Sequence, residues 1–176
     1  MRVAVTGTPG TGKTTATKLL ESRLEDRDDA LEVIHLNEVL EAEGLYTEVD
    51  PDRESKIADL DGLAAWLDGS GEAVIESHLA HHFAVDRVAV LRCHPETLEE
   101  RLLERGETDA KASENAESEA LDVILAEAVE EHGLESVYEI DTTELAPEEV
   151  ATELDAVVAD EREPTAGEVD FVGYLG

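Results

Sequence analysis

Met1-Arg2-Val3-Ala4-Val5-Thr6-Gly7-Thr8-Pro9-Gly10-Thr11-Gly12-Lys13-Thr14 opens the chain, and the rest is read outward from it. Gly7, four intervening residues and then Gly12-Lys13-Thr14 match the P-loop pattern. At average glycine usage, chance gives this pattern in roughly one chain of this length in a hundred, or fewer. Val3-Ala4-Val5 reads as a short buried parallel strand. Beyond the loop, Ala16, Leu19, Leu20 and Leu24 recur at helical spacing. Strand, glycine loop and helix thus follow in the order the motif requires. Glycines at 7, 10 and 12 let backbone approach a phosphate, and the freed N–H groups form an anion nest at a helix start. Lys13 is expected to reach the β and γ phosphates of a nucleoside triphosphate, and the Thr14 hydroxyl to ligate Mg²⁺.

The chain has 176 residues, with 45 Asp+Glu against 13 Lys+Arg and a formal net charge of −32. Its length implies one domain with a substantial core, and 41% apolar residues in clear periods argue against disorder. Self-repulsion at this charge is relieved only where the Debye length is short, ~3 Å at 1 M salt against ~10 Å at 0.1 M. The acidity therefore points to a very salty cytoplasm; the alternative is an ordinary acidic protein. A broad nucleic-acid surface is not expected, because it needs a basic patch. The single cysteine, Cys93, allows no internal disulfide and fits a reducing, cytoplasmic setting. The longest apolar run, Leu63 to Leu67, is far too short for a membrane span, and no signal peptide precedes the first strand.

Further strands are expected at Leu31–Leu36, Ala73–Ile75, Arg87–Leu91 and within Ser136–Ile140. Asn37 is expected to cap a short helix ended by Gly44, and Tyr46–Glu54 to form an exposed acidic loop. Leu60, Leu63, Ala64 and Leu67 mark the next helix, and Pro95 opens another. Gly106–Ser113 reads as polar and mobile. One longer helix then carries Leu121, Ile124, Leu125 and Ala128 on one face, and Pro147 opens the last. In the tail from Glu163, Phe171, Val172, Tyr174 and Leu175 either dock on the core or stay loose. Alternating strands and helices imply an α/β fold with a five-stranded parallel sheet, whose ligands bind beyond the carboxyl ends of the strands. The loop, Glu76-Ser77-His78 and Arg92-Cys93 all fall at that end.

Glu76 stands where P-loop enzymes place the acid that supports Mg²⁺; the alternative is a solvated acid at a strand end. His78 is expected to orient a water or polarise a phosphoryl oxygen. His81 and His82 make that signal less selective, and three histidines in five residues also suggest zinc, although no second ligand cluster is visible in the sequence. Arg105 can fold over the triphosphate and offset charge in the transition state, or it is a surface cation paired with Glu104 or Glu100. Arg101 is a weaker candidate for the same role, and Arg92 a candidate for phosphate contact.

GTPGTGKTT at Gly7–Thr15, Leu45-Tyr46, Ile57-Ala58-Asp59-Leu60, Glu76-Ser77-His78 and Leu102-Leu103-Glu104-Arg105-Gly106 together resemble the nuclear-type adenylate kinase family and its archaeal members, over about Met1 to Ala159. The resemblance implies a P-loop nucleoside-monophosphate-kinase three-layer sandwich over residues 1–162, followed by a tail over 163–176. It implies a monophosphate-binding region at about 35–59 and a lid at about 104–114. It implies adenylate kinase and ATPase activities on ATP and AMP with Mg²⁺. It further implies a role in small ribosomal subunit maturation and 16S rRNA processing, through a platform ribosomal protein. By position, Gly10, Gly12, Lys13, Thr14, Thr15 and the lid arginine, Arg105, would bind ATP. Two departures stand out. Glu41-Ala42-Glu43 replaces a segment that commonly carries a basic residue, so Arg53 or Arg92 would have to compensate. The acid before the histidine is Glu76 rather than Asp. An ATPase assembly factor without physiological kinase activity, or a kinase of another small acceptor, remains open beside the adenylate kinase reading.

Overall fold

A computed structural model describes residues 1–50 and 55–176. Five parallel strands form the sheet: β1 (Arg2–Gly7), β2 (Glu32–His35), β5 (Ala73–Glu76), β6 (Arg87–Arg92) and β7 (Val137–Asp141), in the order β2-β5-β1-β6-β7. The pleat divides their apolar residues between two layers. Val3, Val5, Val74, Leu91 and Ile140 face α1 (Lys13–Asp26) and α7 (Pro147–Val158), meeting Leu20, Leu24 and Leu154. Ala4, Ile34, Ile75, Val88 and Val90 face the other way. There α2 (Leu36–Glu43), α3 (Leu60–Asp68) and α6 (Val123–His132) bring Leu36, Leu63, Leu67, Leu125 and Ala128. Runs such as Val88-Ala89-Val90-Leu91 are apolar on both faces because both faces are covered. The result is the expected three-layer α/β sandwich.

A third, smaller cluster of Cys93, Leu98, Leu102 and Ala112 packs α4 (Pro95–Glu104) against α5 (Asp109–Ala120). Leu98 and Leu102 of α4 also abut Gly10 of the glycine loop.

Five local expectations are corrected. Asn37 does not cap α2; the cap position is His35, and Asn37 lies in the first turn. Tyr46–Asp50 is not loop but β3, paired antiparallel with β4 (Ser55–Ala58). Asp109–Ser113 is helical, because Thr108 Oγ1 accepts from the Lys111 N–H and starts α5. The long helix breaks in two at Asp122, whose φ of 57° ends the run and restarts it as α6. Leu121 is consequently 58% exposed instead of sharing the buried face.

The tail is ordered along the free edge of β7. Thr165 N–H donates to Val137 O, Arg162 Nη2 to Glu139 O, and the N–H groups of Glu168 and Val169 to Glu139 Oε1. The Phe171 ring meets His94 edge-on at 5.4 Å between centroids, and Tyr174 Oη donates to Glu99. Val172 and Leu175 remain exposed.

Candidate active site

The loop between β1 and α1 is shaped by what its glycines exclude. A Cβ on Gly7 would lie 2.6 Å from the Leu91 carbonyl oxygen and 2.9 Å from Thr11 Oγ1, so no side chain fits. Gly12, at φ 95°, starts α1 without any side-chain cap. Ala16 N–H bonds back to Gly12 O at 3.1 Å. The N–H groups of Lys13, Thr14 and Thr15, one turn earlier, therefore have no acceptor within the helix and point at the loop. Three contacts hold the loop from behind: Thr11 Oγ1 to Thr8 O, Thr142 Oγ1 to Thr11 O, and Arg101 Nη1 to Gly10 O.

Lys13 lies inside this loop, 8% exposed, with Nζ donating to Gly7 O at 2.9 Å and Thr8 O at 3.2 Å. Burial lowers its pKa to about 8; Glu76 and Glu119 oppose the shift and the Arg105 charge adds to it. At that value the ammonium stays mostly protonated near neutral pH. Arg105 itself is exposed at the end of α4, within electrostatic reach of Lys13. Arg2, Arg23, Arg27, Arg87 and Arg162 bind protein carbonyls or carboxylates elsewhere.

Thr14 Oγ1 donates to Glu76 Oε1 at 2.7 Å. Glu76 is 2% exposed, which removes the reading of a solvated strand-end acid. His35 faces the same carboxylate, with Nδ1 3.5 Å from Glu76 Oε1. Both ring nitrogens of His35 are buried without a hydrogen-bond partner among the described residues. The sequence reading passed over His35 as a side chain with chemistry. Its one signal was its position at the end of β2, in register beside Glu76.

His78 does not continue the extended path of β5. The chain turns at Ser77, whose Oγ accepts from Leu79 N–H and whose carbonyl accepts from Ala80 N–H. The turn leaves His78 half-buried, with its pKa lowered to about 4 by burial and next by the charge on Lys13. The ring is neutral at physiological pH and lies within reach of the lysine. It also lines a cavity of about 540 Å³ with Asn37, Leu40, Glu41, Ile57 and Leu60. That volume suits a small-molecule ligand. No lysine or arginine lines it among the described residues. Arg53, offered as a compensating cation, lies outside the described residues.

Arg92 does not contact phosphate. It is fully buried, donating to Glu119 at 3.1 Å, Asp122 at 2.6 Å and Glu139 at 2.6 Å. Glu119 also accepts from Thr8 Oγ1 and the Cys93 N–H, so this ionic core braces the loop rather than serving a ligand. Burial pushes the Cys93 thiol up to about 11, which leaves it inert. No helix among the described residues is long and apolar enough to cross a membrane.

Known proteins share both the sequence and the shape. An AAA domain family model matches residues 3–122. A Natronomonas pharaonis protein named "Putative adenylate kinase" is 60% identical over 175 residues, covering 99% of this chain and all of the relative. A Halobacterium salinarum protein of the same name is 54% identical over 99% of this chain. One from Methanosarcina acetivorans is 41% identical over 90% of this chain and 86% of its own length. Shikimate kinase from Bacteroides thetaiotaomicron superposes with a TM-score of 0.60 at 19% identity, over 90% of this chain and 98% of that one. Shikimate kinase from Acinetobacter baumannii gives 0.61 at 15% identity, over 92% and 94%. At that identity the likeness speaks for the fold alone. The chain belongs to the AAA-domain family of P-loop proteins, among the archaeal relatives named "Putative adenylate kinase".

Proposed function

We propose that the chain is an adenylate kinase that moves the terminal phosphoryl group of ATP to AMP. The observation that carries this reading is the position of His78. It feels the charge of Lys13 on one side and lines the 540 Å³ cavity on the other, so a phosphate loop and a second pocket share one crevice. ATP phosphates fit the loop amides of residues 10–15, with Lys13 and Arg105 offsetting charge that builds during transfer. The monophosphate fits the cavity bounded by α2, β4 and α3. The Thr14 hydroxyl and the Glu76 carboxylate are hard oxygen donors at one point, a set that suits Mg²⁺ directly or through water. When bound, the ion neutralises phosphoryl charge. His78, being neutral, acts by hydrogen bonding and orientation and not as a protonated acid.

A second reading keeps the ATP site and drops the acceptor: an ATPase that switches a partner during small-subunit maturation. One observation favours it, the lack of a cation along the described cavity wall, where a monophosphate would be expected to need one. The net charge of −32 suits a basic ribosomal-protein partner. The test is ADP and phosphate formation from ATP in concentrated KCl, with and without AMP. Two ADP per ATP consumed, dependent on AMP, supports the kinase. Slow phosphate release indifferent to AMP supports the switch, and stimulation by GMP, CMP or UMP instead of AMP reassigns the acceptor.

A further inference from the structure

On the α6 side of the sheet, just after His78, the short turn Ala80–His82 packs against α6. His81 Nε2 and His82 Nε2 both lie 3.2 Å from one oxygen, Glu127 Oε2. These three ligand atoms all fall within 4.8 Å of one another. A tetrahedral zinc ion with bonds of about 2.0–2.2 Å sets neighbouring ligand atoms roughly 3.3 Å apart, so the two separations match such an ion.

The far nitrogens of the same rings are occupied. His81 Nδ1 is 2.7 Å from Thr6 Oγ1, and His82 Nδ1 is 2.7 Å from Glu131 Oε1. One ion set between the rings and Glu127 Oε2 meets both Nε2 atoms at once and leaves the two Nδ1 atoms to Thr6 and Glu131 as outer partners. Outer hydrogen bonds from ligating histidines to a carboxylate or hydroxyl are the usual support of a zinc site. The site is half open: the His81 side chain is 1% exposed, but His82 and Glu127 are 24% and 38% exposed, which leaves room for a water as fourth ligand.

We propose that His81, His82 and Glu127 bind one zinc-type divalent ion, with Thr6 and Glu131 orienting the two rings. The sequence shows the histidines but not the third ligand, because Glu127 arrives from a helix 46 residues away. The ion would clamp α6 to the turn after β5 and, through Thr6, to the strand that feeds the phosphate loop.

The probe is Zn²⁺ against a chromophoric chelator, in concentrated KCl, with Co²⁺ absorption as a second readout. The wild-type chain is expected to bind one equivalent, to melt higher with Zn²⁺, and to give the visible bands of four-coordinate Co²⁺. His82→Ala and Glu127→Gln should each weaken Zn²⁺ by roughly 100-fold and abolish the bands, and Glu131→Gln should weaken it by about 10-fold. Both ligand variants touch half-exposed groups, and retained ATP turnover in zinc-free buffer containing Mg²⁺ shows that they fold. The proposal is overturned if wild type fails to compete with the chelator. It is equally overturned if Zn²⁺ affinity survives both ligand changes, or if several ions bind weakly without Co²⁺ bands, which marks diffuse attachment to surface carboxylates.

Discussion

The two sides of the crevice are built differently. The loop side is buried and cross-braced: Thr142, Arg101 and the Glu119–Arg92 pair hold it from three directions, and Lys13 has lost most of its water. The acceptor side is a thin wall of α2, β4 and the start of α3, with Ile57 and Leu60 41–46% exposed. Among the described residues its inner surface is apolar apart from Asn37, Glu41 and His78, with no lysine or arginine. A prebuilt site of low dielectric strengthens each charge it holds. A thin wall with no lysine or arginine among its described residues gives an anionic ligand little binding energy until the ligand completes it. On the proposed reading, the loop side carries most of the chemistry and the cavity side carries selectivity.

The sharpest break of that comparison is Lys13→Ala, which should abolish ATP turnover while the chain stays folded; near-normal turnover would remove the phosphate assignment. Next is Arg105→Ala, expected to lower turnover by about 10²–10³-fold with a smaller change in ATP affinity, since a charge at the loop mouth acts on charge that develops. An effect confined to affinity would place Arg105 in ground-state binding. His78→Ala should reduce hydrolysis on the order of 10²-fold and transfer by less, measured on one preparation. With its pKa near 4, His78 should add no titration to activity between pH 5 and 8 in the wild-type chain, and an acid limb near 6 that disappears in the variant would contradict its neutral role. If hydrolysis survives while transfer falls, His78 belongs to the acceptor alone. The smallest effect sharpens the other side. Glu41→Lys puts a cation on the cavity wall and should tighten AMP about threefold, the value of a solvent-screened charge pair, without changing ATP affinity.

The donor side was legible in the sequence because it is local. The strand, glycine loop and helix are contiguous, and each residue type has a backbone or phosphate reason to be there. The sheet was legible because strands covered on both faces carry consecutive apolar residues, as in Val3-Ala4-Val5 and Val88-Ala89-Val90-Leu91. What stayed hidden depends on distant partners. Arg92 looked like a ligand at a strand end, yet its acceptors on Glu119, Asp122 and Glu139 lie 27, 30 and 47 residues away. The helix break at Asp122 was invisible because the apolar period runs straight through it; the left-handed residue there is stabilised by the same arginine. The hairpin of β3 and β4 was missed because its strands are only five and four residues long and the acidic Asp50-Pro51-Asp52 stretch reads as loop. His35 was overlooked because a lone histidine at a strand end means nothing until β5 brings Glu76 beside it.

The strap along β7 has a consequence for how the protein folds. Glu139 is 3% exposed, and its Oε1 is satisfied by the amides of Glu168 and Val169. While the strap is undocked, the carboxylate beside Arg92 lacks these two donors and must rely on water. Docking of residues 162–169 is thus a locking step: the sheet assembles from strands that precede the strap and is secured when the strap seats along β7. A chain stopped after Glu161 should carry the same fold yet melt lower, and identical melting of the shortened and full chains would show that the lock is idle.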